Sequence, residues 1–177
     1  DRTRAGVLVG TGIGGFHTIT EGHEKFLKTG PERVNVFLIP MMICNMASGQ
    51  IAIEYGFQGD NFCIVTACAT GSHSIGEAFR KIKHGYLDLC IAGGTEGTIT
   101  EFAVAGFTNM RALTTAEDCD RLSIPFDKER SGFVMGEGAG LILLEELEHA
   151  KARGANILAE IVGYGATDDA HHITAPA

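Results

Sequence analysis

The sequence predicts an α/β fold, on three observations. Short aliphatic and β-branched runs read as buried strands, segments between them carry apolar residues at helical spacing, and the two kinds alternate along the chain. The 177 residues hold 24 glycines against 4 prolines, and 45% of them are hydrophobic. That supports one packed unit rich in tight turns and close backbone approaches, and excludes a disordered chain.

The elements follow in order. Residues 4–10 (RAGVLVG) form an apolar run ending in glycine, the pattern of a buried strand. A glycine-rich turn leads into a helical segment at 16–28, closed by Thr29-Gly30-Pro31. Ile43, Met46, Ala47 and Ile51 mark one face of a helix over 43–55, with Gly56 placed to end it. Residues 61–67 (NFCIVTA) read as a second buried strand. Over 72–84, Ile75, Ala78, Phe79 and Ile82 fall at i, i+3, i+4 and i+7, Glu77, Arg80, Lys81 and Lys83 take the other side, and Gly85 is the natural stop. A strand over 87–93 follows. Beyond Gly138 come a strand (GLILLE), a helix over 147–153 closed by Gly154, and a strand over 157–162. The longest apolar stretch, 36–44, is broken by Pro40 and too short to span a bilayer. The chain opens on Asp1-Arg2-Thr3-Arg4 and stops at Ala175-Pro176-Ala177 with no closing element, so the expectation is a segment of something longer.

The formal charge of -8 argues against nucleic-acid binding by bulk electrostatics, while leaving room for a local basic patch. Cys44, Cys63, Cys68, Cys90 and Cys119 show neither a CxxC pair nor metal-ligand spacing, so the reading is a reducing compartment without disulfides or zinc.

Four places carry candidate chemistry. Gly10-Thr11-Gly12-Ile13-Gly14-Gly15 satisfies G-x-G-x-x-G directly after a strand. A dinucleotide site also needs an acidic residue at the end of the next strand, and Glu32 sits instead in a Gly-Pro-Glu-Arg turn. The better reading is a tight turn lining a cavity. Thr66-Ala67-Cys68-Ala69-Thr70-Gly71 joins a buried strand to a helix. Such a turn lifts one side chain out, and the helix start aims free N–H groups at it, stabilising negative charge on a nucleophile or a substrate oxygen. The local pattern leaves two readings open, a nucleophilic Cys68 or a small buried residue filling the junction. His73 lies on the flank of that helix, and His171 and His172 stand with Asp168 and Asp169 in a polar loop, either solvated or reaching a cleft. Residues 125–140 (PFDKERSGFVMGEGAG) place a charged cluster before a glycine-rich strand entrance, which suggests ion pairs fixing a loop to a sheet with no need to touch substrate.

Taken together, T-A-C-A-T-G around Cys68, I-A-G-G-T-E at 91–96, G-F-T-N-M-R-A-L at 106–113, P-F-D-K-E-R-S-G-F-V-M-G-E-G-A-G and the closing D-A-H-H-I-T-A-P resemble the elongating β-ketoacyl-[acyl carrier protein] synthases, of the synthase II type. The likeness covers essentially the whole chain. It implies a thiolase-like fold of α-β-α-β-α layers, of which residues 1–177 would be an internal part, the later first half and the start of the second.

The resemblance also implies roles. Cys68 matches the acyl-accepting nucleophile, and its backbone N–H one half of an oxyanion hole. Ile13 and Phe107 match residues bordering the acyl pocket, and His172 and Thr174 the phosphopantetheine entry. Arg111 and Arg33 match positions that dock the acidic carrier protein. The implied partners are acyl carrier protein, in acyl- and malonyl-phosphopantetheine forms, and a second copy in a homodimer. The implied setting is cytoplasmic, with no cofactor, metal, nucleic acid or membrane. The family chemistry is a decarboxylative Claisen condensation that lengthens the acyl chain by two carbons. The family's downstream H-G-T, lysine and G-H motifs are not in this sequence, so these residues alone are expected not to complete a condensation. A polyketide ketosynthase domain, or a fragment that only docks the carrier protein, remains an alternative.

Overall fold

The protein is described here by a computed structural model covering residues 1–174 and 177. Three strands form one sheet in the order β1 (Ala5–Gly10), β2 (Leu89–Glu96), β3 (Gly138–Glu145). β1 and β2 are parallel, in register from Ala5↔Leu89 to Gly10↔Gly94. β3 runs antiparallel to β2, from Leu89↔Glu145 to Glu96↔Gly138. The connection from β1 to β2 holds four helices, α1 (Phe16–Thr29), α2 (Leu38–Met42), α3 (Met46–Tyr55) and α4 (Thr70–Lys83). α5 (Glu101–Asn109) follows β2, and α6 (Leu147–Ala152) follows β3.

Every residue of β1 is buried, because helices cover both of its faces. Leu8 meets Ala78 of α4 together with Leu87, Cys90 and Ala92, and Phe62, Ile75, Ile82 and Leu144 close around them. Val7 and Val9 turn the other way, toward α3. At the opposite end of the sheet, Arg4 grips Asp88 with two nitrogens, at 2.7 and 2.5 Å. That fork holds the Asp88 carboxyl below the usual carboxylate range. Gly56, Gly85 and Gly154, read as helix ends, all adopt positive φ at the ends of α3, α4 and α6.

Three expectations need correction. The helix expected over 43–55 begins only at Met46, because α2 precedes it and Ile43 is extended between the two. Pro40 fits in the first turn of α2, where backbone N–H groups have no helical partner to lose.

Residues 61–67 do not form the expected strand. They begin to add to β1, with Val7 N–H donating to Asp60 O at 2.9 Å and a single parallel bridge between Val7 and Asn61. The Ser48 hydroxyl of α3 then intervenes. It accepts from Val9 N–H at 2.9 Å and lies within hydrogen-bonding distance of Val9 O and Phe62 O. The ladder bond that Phe62 O would accept is taken by a side chain, and the pairing stops there.

The strand expected over 157–162 is also missing among the described residues. Leu158 and Val162 are 90% and 80% exposed. A β-branched run becomes a strand only where a neighbour's backbone completes its bonds. The next residues pack on α4 instead, with the Tyr164 ring against Gly76 and under the Arg80 guanidinium. Ala175 and Pro176, in the D-A-H-H-I-T-A-P segment, lie outside the described residues. No helix among the described residues is long and apolar enough to cross a membrane.

Ser48 therefore predicts a measurable cost of substitution. Ser48→Ala leaves Val9 N–H buried without its acceptor and should destabilise the fold by about 1–3 kcal/mol, read from the shift in a urea unfolding curve. An unchanged midpoint would show that the 61–64 backbone closes onto β1 by itself.

Candidate active site

The carboxyl ends of β1 and β2 lie side by side, at Gly10 and Gly94. In parallel sheets this is where ligands bind, since the loops leaving the strands diverge there. A cleft of about 490 Å³ opens at these ends, a volume ordinary for a small-molecule site. Ile13 on the loop after β1, Cys68 before α4, Glu96 at the end of β2, Phe107 on α5, and Phe133 and Met135 ahead of β3 all line it.

The floor is built by close approach. α4 begins directly on the strand ends, with Thr70 only 4% exposed. A Cβ on Gly10 would overlap the Thr70 methyl group and stand 2.5 Å from Ile64 O. One on Gly94 would stand 3.1 Å from the Cα of Gly71. Helix and strands thus meet backbone to backbone.

Cys68 sits on a short 3-10 turn, Ala67–Ala69, that runs straight into α4. Ala67 before it has φ +48, a conformation that L side chains adopt reluctantly. The turn is held by Ala69 N–H to Thr66 O at 3.1 Å and by Thr66 N–H to the Thr70 hydroxyl at 2.8 Å. Cys68 is exposed, so the structure decides against the small buried residue that the junction could equally have held. Cys90 shows the contrast, since it lies in the core and burial pushes its thiol up to about 12. Burial also raises Cys63. A thiol in that state is inert.

The glycine turn has a structural purpose. Gly14, at φ +84, and Gly15 press against the backbone of Met41 and Met42, and Gly15 N–H donates to Met42 O at 3.0 Å. The glycine side of the turn seats it against α2, and its other side, from Gly10 to Ile13, borders the cleft. A second cavity, about 190 Å³, lies behind the turn among Met41, Ile43, Cys44 and Met46.

The far wall was only half legible. As expected, charges fix the loop before β3, where Arg121 pairs with Asp127 at 3.3 Å and with Glu129 at 2.9 Å. Hydrogen bonding from Glu129 N–H, and then Arg121, holds the Asp127 carboxyl below its ordinary range. The rest of the motif does reach the cleft. Phe133 meets Phe107 edge to face at 5.4 Å, and Val134, Met135 and Gly136 continue the wall. The apolar Phe133-Val134-Met135 set between glycines was the available signal.

The structure brings Cys68, Ile13 and Phe107 to one cleft. Arg111, exposed at φ +57 just past α5, Arg33 in the turn Pro31–Arg33, and His172 and Thr174 do not line it. The last two meet each other, with Thr174 N–H donating to His172 Nδ1 at 3.1 Å. His73 shares a 2.7 Å hydrogen bond with the Thr66 hydroxyl and turns its ring edge-on to Tyr164. Among the described residues lining the cleft, only Cys68 and Glu96 are ionisable. No three metal-ligating side chains converge among the described residues.

Comparison with known proteins gives three consistent findings. The family profile described as "Beta-ketoacyl synthase, N-terminal domain" matches residues 1–150. The chain is 55% identical over 174 residues to 3-oxoacyl-[acyl-carrier-protein] synthase 2 of Staphylococcus aureus, covering 98% of this chain and 43% of that protein. It is 56% identical to the Synechocystis protein of the same name, over 97% of this chain and 41% of the relative. The chain thus spans about two-fifths of the length of these relatives. Among solved structures it superposes with TM-score 0.92 and 31% identity on a chain of a type II polyketide ketosynthase complex with its acyl-carrier protein, over 97% of this chain and 44% of that one. A β-ketoacyl synthase from Burkholderia phymatum superposes with TM-score 0.82 and 36% identity, over 97% and 42%.

The packing at the strand ends separates two glycines. Gly10→Ala should cost about 1–3 kcal/mol as an overpacked contact, because its neighbours include backbone. Gly97→Ala meets nothing within 4 Å and should stay within about 0.5 kcal/mol of wild type. Equal denaturation midpoints for the two variants would contradict the close seating of α4.

Proposed function

The chain belongs to the β-ketoacyl synthase family, and from that premise we propose that it carries the acyl-accepting part of a 3-oxoacyl-[acyl carrier protein] synthase of fatty-acid elongation. The single observation that supports this best is the cleft itself. Its exposed Cys68 stands at the start of α4, beside an apolar wall of Ile13, Phe107 and Phe133.

In this reading the Cys68 sulfur attacks the thioester carbonyl of an acyl carrier protein. The carbonyl π electrons move onto oxygen, and the Cys68 backbone N–H is one donor to that oxyanion, assisted by the helix start. Collapse expels the phosphopantetheine thiolate, which takes up the proton given up by the Cys68 thiol, and leaves the acyl group on Cys68. The acyl tail lies along Ile13 and Phe107, and these apolar side chains reward burial at about 0.8 kcal/mol per methylene. His172 and Thr174 would border the pantetheine entry, and Arg111 and Arg33 would meet the acidic carrier. Both arginines are exposed, as such docking requires.

Condensation is assigned to the whole enzyme. It needs donors aimed at the thioester carbonyl while malonyl carrier loses carbon dioxide and its enolate attacks the Cys68 acyl group. The cleft residues described offer no histidine or lysine for that. A cytoplasmic homodimer is the assembly that fits this reading.

A polyketide ketosynthase is the second reading, favoured by the TM-score of 0.92 with a polyketide complex. The 55% identity to a fatty-acid-type synthase, against 31% there, favours the first.

The test is acyl transfer. Incubated with acyl carrier protein bearing a saturated acyl chain, the chain should gain one acyl mass on intact-mass analysis. Cys68→Ala should gain none, and the other four cysteines should stay unmodified. Carrier binding without transfer would leave only a docking fragment. Preference for a β-keto-bearing acyl chain over the saturated one would favour the polyketide reading.

A further inference from the structure

Among the described residues, Glu96 is the only ionisable side chain lining the cleft besides Cys68, and nothing in the acyl-transfer reading uses it. It is half-buried at the last position of β2, and among the described residues it forms no ion pair. Both carboxylate oxygens go to the glycine turn. Oε1 accepts from the Thr11 hydroxyl at 3.0 Å, and Oε2 accepts from Gly12 N–H at 2.9 Å. The Thr11 oxygen in turn accepts from Gly14 N–H at 3.2 Å. Thr11 is 6% exposed and Glu96 half-buried, so the network is partly shielded from bulk water, which strengthens charge-assisted bonds.

The network grips the turn on both sides of Ile13 and leaves Ile13 itself 37% exposed, facing the cleft. A Cβ on Gly12 would stand 2.7 Å from Glu96 Oε2, so a side chain there would displace the carboxylate from its bonds. Thr11 and Glu96 border both the large cleft and the smaller cavity behind the turn. The latched turn is therefore the partition between the two spaces.

We propose that Glu96 is a positioning residue that latches the Thr11–Gly14 turn and so sets how long an acyl chain the cleft accepts. This rests on the acyl-transfer reading above. A carboxylate suits the task because both of its partners are donors. Release of the latch lets the turn swing away from the cleft and joins the cavity of about 190 Å³ to it.

Two variants separate a latch from a plain wall. Glu96→Ala removes the bonds and also adds space. Thr11→Val keeps the volume and removes only the hydroxyl. Two readouts are made on the 177-residue chain, namely amide hydrogen exchange at Gly12 and Gly14, and the ratio of Cys68 acylation rates for long-chain against short-chain acyl thioesters by intact mass. Both variants should speed exchange at these amides about tenfold or more. Both should raise the long-to-short ratio about tenfold. Unchanged exchange overturns the latch. A ratio that moves in Glu96→Ala but not in Thr11→Val also overturns it, because the carboxylate would then be a steric wall alone. A wild-type chain that takes no acyl group at all overturns the chain-length role together with the acyl-transfer reading, and amide exchange still decides whether Glu96 holds the turn.

Discussion

Everything functional in this chain depends on one packing constraint, the seating of the first turn of α4 on the carboxyl ends of β1 and β2. Gly10 and Gly94 let helix and strands approach as closely as they do, and Thr70 is buried in the junction. Packing of this density leaves few alternatives, since an added methyl group has nowhere to go. The helix start is thereby fixed relative to both strands. Cys68, two residues before it on the 3-10 turn Ala67–Ala69, is lifted off the floor and exposed.

The same constraint explains how cleft and core divide the cysteines. Cys90, six positions before the end of β2, points into the cluster with Leu8 and Ala78 and is chemically silenced by burial. Cys68 escapes that fate through the reluctant backbone of Ala67, whose positive φ turns the chain before the helix begins. Strain of this kind persists where the surroundings over-determine it. Here the Thr66–Thr70 hydrogen bond and the turn bond from Ala69 hold it in place.

Much of this was legible in the sequence, and for physical reasons. β1, α4 and β2 follow from hydrophobic period and glycine stops, because their neighbours in the sheet are present and reward the expected face. At Cys68 the start of the helix was legible, but the strand expected before it does not form. What local pattern misjudged were segments whose fate depends on distant partners. The run 61–67 has strand composition, yet Ser48, more than ten residues away, takes its ladder bond. The run 157–162 has strand composition and no neighbouring strand among the described residues. The glycine turn was correctly read as lining a cavity, but its latch to Glu96 spans 84 residues and no local motif announces it. The apolar side of the 125–140 motif was masked by its charges, whose partners include Arg121 and the Ile99 N–H, outside the motif.

The central claim is that the cleft at the ends of β1 and β2 is an acyl site served by Cys68. The most direct measurement is a crystal structure of the chain with Cys68 carrying a thioether-linked alkyl chain. The account predicts that the alkyl chain lies in the cleft, against Ile13 on one side and Phe107 with Phe133 on the other, with α4 unmoved. An alkyl chain lying in solvent, or on another surface while the cleft stays empty, would contradict it.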